Sequence, residues 1–92
     1  RTVRRGSVRV RHLAGTCTGT RVAYGIERSV GNAVVRNRVR RRLRAVMTGI
    51  DALGGLPTGD YLVRAEPSAV EMTFAELRDD LSSITDELGS TA

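Results

Sequence analysis

Between Val35 and Ile50 the chain sets an apolar residue at every third or fourth position and fills the gaps with arginine. On a helical wheel of about 100° per residue, Val39, Leu43, Val46 and Ile50 fall within roughly 80° of Val35. The stripe is narrow. The rest of the circumference belongs to Arg36, Arg38, Arg40, Arg41, Arg42 and Arg44, with Asn37 among them. Such a helix can bury one edge only, so the fold must offer a surface for that edge and leave the cations outside. Like charges three and four residues apart repel each other. A charge run is ordinarily a solvated face, but solvated helices interleave acids and there is none from Arg36 to Arg44. A bound polyanion would neutralise the run and release counterions, which points to nucleic acid.

The charge is divided along the chain. Residues 1–45 carry 13 Arg against Glu27 alone, a net of +12; residues 46–92 carry two Arg and nine acids, a net of −7, and the whole is +5. Every cation is arginine, whose planar fork grips phosphate in two places and stacks on bases. Codon bias toward arginine would give the same composition. The 92 residues suit one domain spanning 1–92. No stretch is long and apolar enough for a membrane span, and no secretory pattern opens the chain. Cys17 is the only cysteine, so no internal disulfide can form; it reads as an inert side chain near a strand end. A lone thiol without an export signal fits a reducing cytoplasm.

Period-two alternation predicts a strand over Ser7–Leu13, with Val8, Val10 and His12 on one side and Arg9, Arg11 and Leu13 on the other. A turn at Gly15–Gly19 and a second strand at Thr20–Ile26 complete an expected hairpin. Asn32 is the expected N-cap of the basic helix and Gly49 its expected stop. Asp51–Asp60 reads as a loop, and Tyr61–Ala65 as a short strand that Pro67 ends. Thr73 and Glu76 form a capping box for a last helix, with Phe74, Leu77, Leu81, Ile84 and Leu88 on its apolar side and an acidic opposite face. Gly89–Ala92 reads as a flexible tail. The fold class is α+β: a small two-layer α/β sandwich with a mixed sheet and the basic helix in a β-α-β crossover.

Residues 30–44, Val-Gly-Asn-Ala-Val-Val-Arg-Asn-Arg-Val-Arg-Arg-Arg-Leu-Arg, resemble the Arg-Asn-Arg motif of the ribonuclease P protein family. Leu56-Pro57, Asp60-Tyr61, Pro67 and Phe74-Ala-Glu-Leu77 follow in the family's order, so the resemblance covers nearly the whole chain. It implies a left-handed crossover, which periodicity does not show, and makes Arg1–Gly6 the tail of an N-terminal helix. The function it implies is that of the protein subunit of an RNA-based endoribonuclease. Arg36, Asn37, Arg38, Arg40, Arg41 and Arg44, with Arg28 and Asn32, would bind the catalytic RNA subunit. Arg9, Arg11 and Tyr24 would hold the single-stranded 5′ leader of precursor tRNA beside the sheet. Hydrolysis would be done by the RNA with magnesium that it holds itself, the protein supplying no catalytic and no metal-binding residue.

Three places depart from the family pattern. Glu27-Arg28-Ser29 stands where basic residues are usual, Glu66 stands where a basic residue often precedes the proline, and Leu13–Thr16 lacks aromatics. No Ser/His/Asp or Cys/His arrangement suggests catalysis by the protein or zinc binding, and nothing suggests a small-molecule substrate. Two other readings are a general structured-RNA-binding or ribosome-associated module without an enzymatic partner, and an amphipathic helix lying on anionic membrane. The apolar stripe lacks Trp and Phe, which argues against the membrane.

Overall fold

Alternating side chains sort the sheet into two unlike faces. The structure, a computed structural model, describes residues 1–13 and 19–89. Strands β1 (Thr2–Arg5), β2 (Val8–Leu13), β3 (Thr20–Ile26) and β4 (Gly59–Ala65) form one sheet in the order β1-β2-β4-β3. β1 is antiparallel to β2, β2 antiparallel to β4, and β3 parallel to β4. Helix α1 (Ala33–Ala52) connects the parallel pair and helix α2 (Phe74–Gly89) follows β4. The α+β class, the mixed sheet and the β-α-β placement of the basic helix are as the sequence predicts.

Val3, Val8, Val10, Tyr61, Val63, Ala65 and Ile26 are buried on one face of the sheet, where both helices pack. α1 contributes Val39, Leu43, Val46 and Met47 to this core, with Val35 and Ile50 partly buried at its margin. Met47 lies outside the narrow stripe because the sheet and α2 together cover a wider arc of the helix. α2 contributes Leu77, Leu81, Ile84 and Leu88. Phe74, expected on the same stripe, is 44% exposed, because it stands at the first residue of α2, one turn short of the core. The capping box forms as expected. Thr73 N donates to Glu76 Oε1 at 2.9 Å and Glu76 N donates to Thr73 Oγ1 at 3.1 Å. These bonds hold the Glu76 carboxyl below its ordinary range.

Four expectations need correction. Arg1–Gly6 is not the tail of a helix: β1 pairs with β2 through a tight turn, Arg5 opposite Val8, and buries Val3. β2 and β3 do not form a hairpin, because β4 lies between them. β4 buries Gly59, Tyr61, Val63 and Ala65, more than any other strand, which suits a place between two neighbours. α1 runs through Gly49 to Ala52, because a helix ends where the backbone turns left-handed, and Gly54 does so with φ +74°. The last strand is longer than expected, starting at Gly59. The turn assigned to residues 15–19, with Cys17, falls mostly on residues 14–18, outside the described residues. Of the expected tail, Gly89 closes α2 and residues 90–92 are likewise outside.

Two predictions follow from this packing. Leu43 is 0% exposed, so Leu43→Ala should cost about 2–5 kcal/mol in urea unfolding; a cost below about 1 kcal/mol would mean that α1 is not anchored there. Tyr61 donates its hydroxyl to the Pro57 carbonyl and stacks on His12 at 4.5 Å between ring centroids. Burial first, then the Asp51 charge, pushes its phenol up to about 12. The fold favours the neutral phenol. Its stabilisation is therefore intact below the unfolded value of about 10 and is lost as pH rises toward the folded one. Stability should fall less steeply over that window in Tyr61→Phe than in the parent, and an equal slope would acquit the phenol.

Candidate nucleic-acid interface

The start of α1 is built by Gly31 and Asn32. Gly31 has φ +156°, and a Cβ there would lie 2.8 Å from Val35 Cγ1, so a side chain would strike the helix it introduces. Asn32 then caps: its Oδ1 accepts from Val35 N at 3.0 Å, and its carbonyl accepts from Arg36 N at 2.9 Å. The Gly-Asn pair thus fixes where the helix begins, and hence which way each arginine points. Arg28 sits just ahead, exposed in a single 3-10 turn over Arg28–Val30.

Asn37, Arg40, Arg41 and Arg44 line one groove along the solvent side of α1 with Val34, which is 68% exposed. Asn37 Oδ1 accepts from Arg40 Nη1 at 2.7 Å, so its amide orients a neighbouring guanidinium. The Arg44 guanidinium lies 5.6 Å from the centre of the Tyr24 ring. Arg36 and Arg38 flank the groove on either side. Arg36 Nε is buried with no hydrogen-bond partner among the described residues, so its stem is held by packing and not by an acceptor. Arg42 turns the other way, donating from Nη1 to the Met72 carbonyl at 3.1 Å, which ties α1 to the turn before α2. Among the described residues, none of the six arginines of α1 pairs with an acid.

A second cationic surface lies on the sheet face that neither helix covers. Register places Arg4, Arg9 and Arg64 side by side on β1, β2 and β4, and Thr2, Arg11, Leu62 and Ala23 in the next row. Two adjoining hollows of about 250 Å³ and 470 Å³ run over these rows, bounded by Leu13, Arg21 and Asp60. Arg21 and Asp60 form a two-pronged pair at 2.9 and 3.0 Å.

Arg9 and Arg11 therefore share a surface, but Tyr24 does not join them. Tyr24 stands opposite Val63 on the helix-covered side of the sheet, under Arg44, where burial raises its phenol pKa and the Arg44 charge opposes the rise. Its place in the sequence-based leader set is corrected to support of α1. No aromatic ring occupies the open face among the described residues, so stacking there would fall to guanidinium planes. Arg4, Arg64 and Leu62 belong to this face and were missed. Their signal was present: each is out of phase with its strand's buried residues, which period-two reading applied to β1 and β4 would have shown.

The amphipathic-membrane reading fails on geometry, since Val39, Leu43, Val46 and Met47 are spent in the core. Among the described residues no helix is long and apolar enough to cross a membrane, and no three His, Cys, Asp or Glu side chains cluster as metal ligands.

A family model described as Ribonuclease P matches residues 1–89. The ribonuclease P protein component of Beutenbergia cavernae is 44% identical over 100 aligned positions, which cover 100% of this chain and 82% of that protein. The corresponding protein of Thermobifida fusca is 45% identical over 68% of this chain, a match spanning only 42% of its own length. The solved structure of the Staphylococcus aureus RNase P protein superposes with a TM-score of 0.83, covering 96% of this chain and 80% of that one. At 20% identity that likeness speaks for the fold alone.

The uncompensated charge on α1 should be visible in solution. Sulfate should raise the thermal midpoint more than chloride at matched ionic strength and matched water exclusion, because a divalent oxyanion bridges adjacent guanidinium groups. Equal midpoints in the two salts would show that the arginines do not limit stability.

Proposed function

The chain belongs to the ribonuclease P protein family, and from that premise we propose that it serves as the protein subunit of an RNA-based endoribonuclease that removes the 5′ leader of precursor tRNA. The observation that carries this is the groove on α1: Asn37, Arg40, Arg41 and Arg44 aligned on a well-capped helix with no acid to neutralise them. It fits the phosphate backbone of a large structured RNA, which is the catalytic subunit in this reading. Arg36, Arg38 and Arg28 extend the contact toward the start of the helix, where Asn32 acts by capping.

The open sheet face suits a second, weaker task. Arg9 and Arg11 point from β2 into its hollows, with Leu62, Leu13 and Ala23 as apolar floor. A single strand can lay phosphates on the arginines and rest bases on the floor and on guanidinium planes. We assign the 5′ leader to this face. The two surfaces lie on different sides of the molecule, so one protein can hold the catalytic RNA and the substrate at once. Cleavage itself we assign to the RNA, with magnesium bound by its phosphates. The cytoplasm, where precursor tRNA is made, is the compartment that suits this role.

Reconstitution tests the reading. Purified protein should leave precursor tRNA intact, and adding the RNA subunit in magnesium should restore 5′ processing. Cleavage by RNA-free protein would sink the assignment. Arg41→Ala or Arg44→Ala should weaken binding to the RNA subunit with little change in the melt. Each should lower the salt slope of log K by somewhat less than one unit, about 0.7–0.9. Wild-type affinity and slope in both variants would leave α1 a solvated face. Equal affinity for unrelated structured RNAs would favour a general RNA-binding module.

A further inference from the structure

The arginines of the open face differ in a way that those of α1 do not: most of them are matched to a carboxylate. Arg4 pairs with Glu66, Arg64 Nη1 lies 3.7 Å from Glu27 Oε1, and Arg21 is held by Asp60. Arg9 and Arg11 alone have no acid partner among the described residues. The pairing is a matter of register. Arg4, Arg9 and Arg64 face one another across three adjacent strands, an arrangement of directly opposed like charges that costs stability. Glu66 follows Arg64 by two residues, just past the end of β4, and Glu27 follows Gly25, the position opposite Arg64, by two, just past the end of β3. Both acids therefore stand one row beyond the arginine row, on the same rim of the face. The Arg64 stem lies over Gly25, close enough that a Cβ there would touch Arg64 Cγ at 3.5 Å, an ordinary van der Waals contact.

The geometry points to Glu27 and Glu66 as affinity-limiting residues of the sheet surface: carboxylates that hold Arg64 and Arg4 and that a bound strand's phosphates must displace. This inference rests on the assignment of the leader to the open face. Both pairs are solvent-exposed at each partner, so each is weak and readily exchanged. A phosphate approaching Arg9 meets outer guanidiniums that the two rim carboxylates already neutralise. The face thus binds a single strand through two free cations where five are present. α1, with no such acids, keeps its whole charge for its RNA. One protein would then hold its RNA subunit tightly and its substrate's leader loosely enough to release it.

The test uses the holoenzyme reconstituted with its RNA subunit, and precursor tRNA with and without the leader. Glu27→Gln and Glu66→Gln keep the side-chain shape and remove the charge. Each should tighten binding of leader-bearing substrate by about 1.5–5-fold, the range expected for a weak exposed pair, and the double variant should steepen its salt dependence. Binding of leaderless tRNA should not change. Arg9→Ala is the companion variant and should weaken leader-bearing substrate only. If Arg9→Ala weakens it while both glutamine variants bind as wild type, the carboxylates do not compete and the inference is overturned, though the leader assignment stands. Tightening of leaderless tRNA to the same extent also overturns it, because the acids would then act through overall charge. If Arg9→Ala has no effect specific to the leader, the assignment of the leader to this face fails, and the inference with it.

Discussion

Burial of Leu43 and its neighbours against the sheet holds in place a helix that its own charges push apart. The opposition can be sized. Like-charge pairs three and four residues apart cost roughly 0.2–0.5 kcal/mol each, and α1 has five of them, from Arg36–Arg40 to Arg41–Arg44. Full burial of a side chain such as leucine or valine returns about 1.5–3 kcal/mol as an upper estimate. Val39, Leu43, Val46 and Met47 together outweigh the repulsion severalfold. The helix can therefore carry a cationic face only because a narrow edge is wholly buried, and that requirement sets the rest of the architecture.

One consequence is the placement of both helices on a single side of the sheet. α1 needs a wide apolar surface, and α2 completes it with Leu77, Leu81, Ile84 and Leu88. The acids of α2 and of the chain near β4 then come close to the N-terminal arginines: Glu87 pairs with both Arg1 and Arg5, and Glu66 with Arg4. The two oppositely charged halves of the chain partly neutralise each other on folding. What escapes neutralisation among the described residues is the outer side of α1 with Arg28 just ahead of it, and the two arginines in the middle of β2. Charge that was spread over half the sequence is concentrated on two surfaces.

Those surfaces also differ in how they are built. On α1 a capped helix start sets where each arginine leaves the helix, and Asn37 and the Tyr24 ring steady Arg40 and Arg44 before any ligand arrives. Preorganisation of this kind lowers the ordering cost of binding. On the sheet the arginines are set by strand register and tethered by exposed carboxylates, which yield to a competing anion. A rigid, uncompensated surface and a soft, compensated one suit a permanent partner and a transient one respectively.

The basic helix, its cap at Asn32, the capping box at Thr73, the inward and outward sides of β2 and the α+β class were all legible in the sequence, because each depends on residues within a few positions of one another. The Arg-Asn-Arg run likewise marked the cationic outer side of α1. Pairings between distant segments were not legible. β2 and β3 each look ready to pair with the other, and only the assembled sheet, in which β4 is the most buried strand, puts β4 between them. Arg1–Gly6, which the family resemblance made the tail of a helix, becomes a strand only because β2 is there to pair with it. Tyr24 looks like a stacking platform until the parallel register turns it toward α1, and Arg64 passes unnoticed until the same register lines it up with Arg9 and Arg4. Apart from Arg1–Gly6, the sequence by itself determined which segments are helical or extended, since local periodicity and backbone capping decide that, and it showed directly where positive charge is abundant. Which charges remain free to meet a partner was decided by the tertiary structure alone, because neutralisation depends on acids that are far away in the chain and are brought to the arginines only by the strand order and the packing of α2.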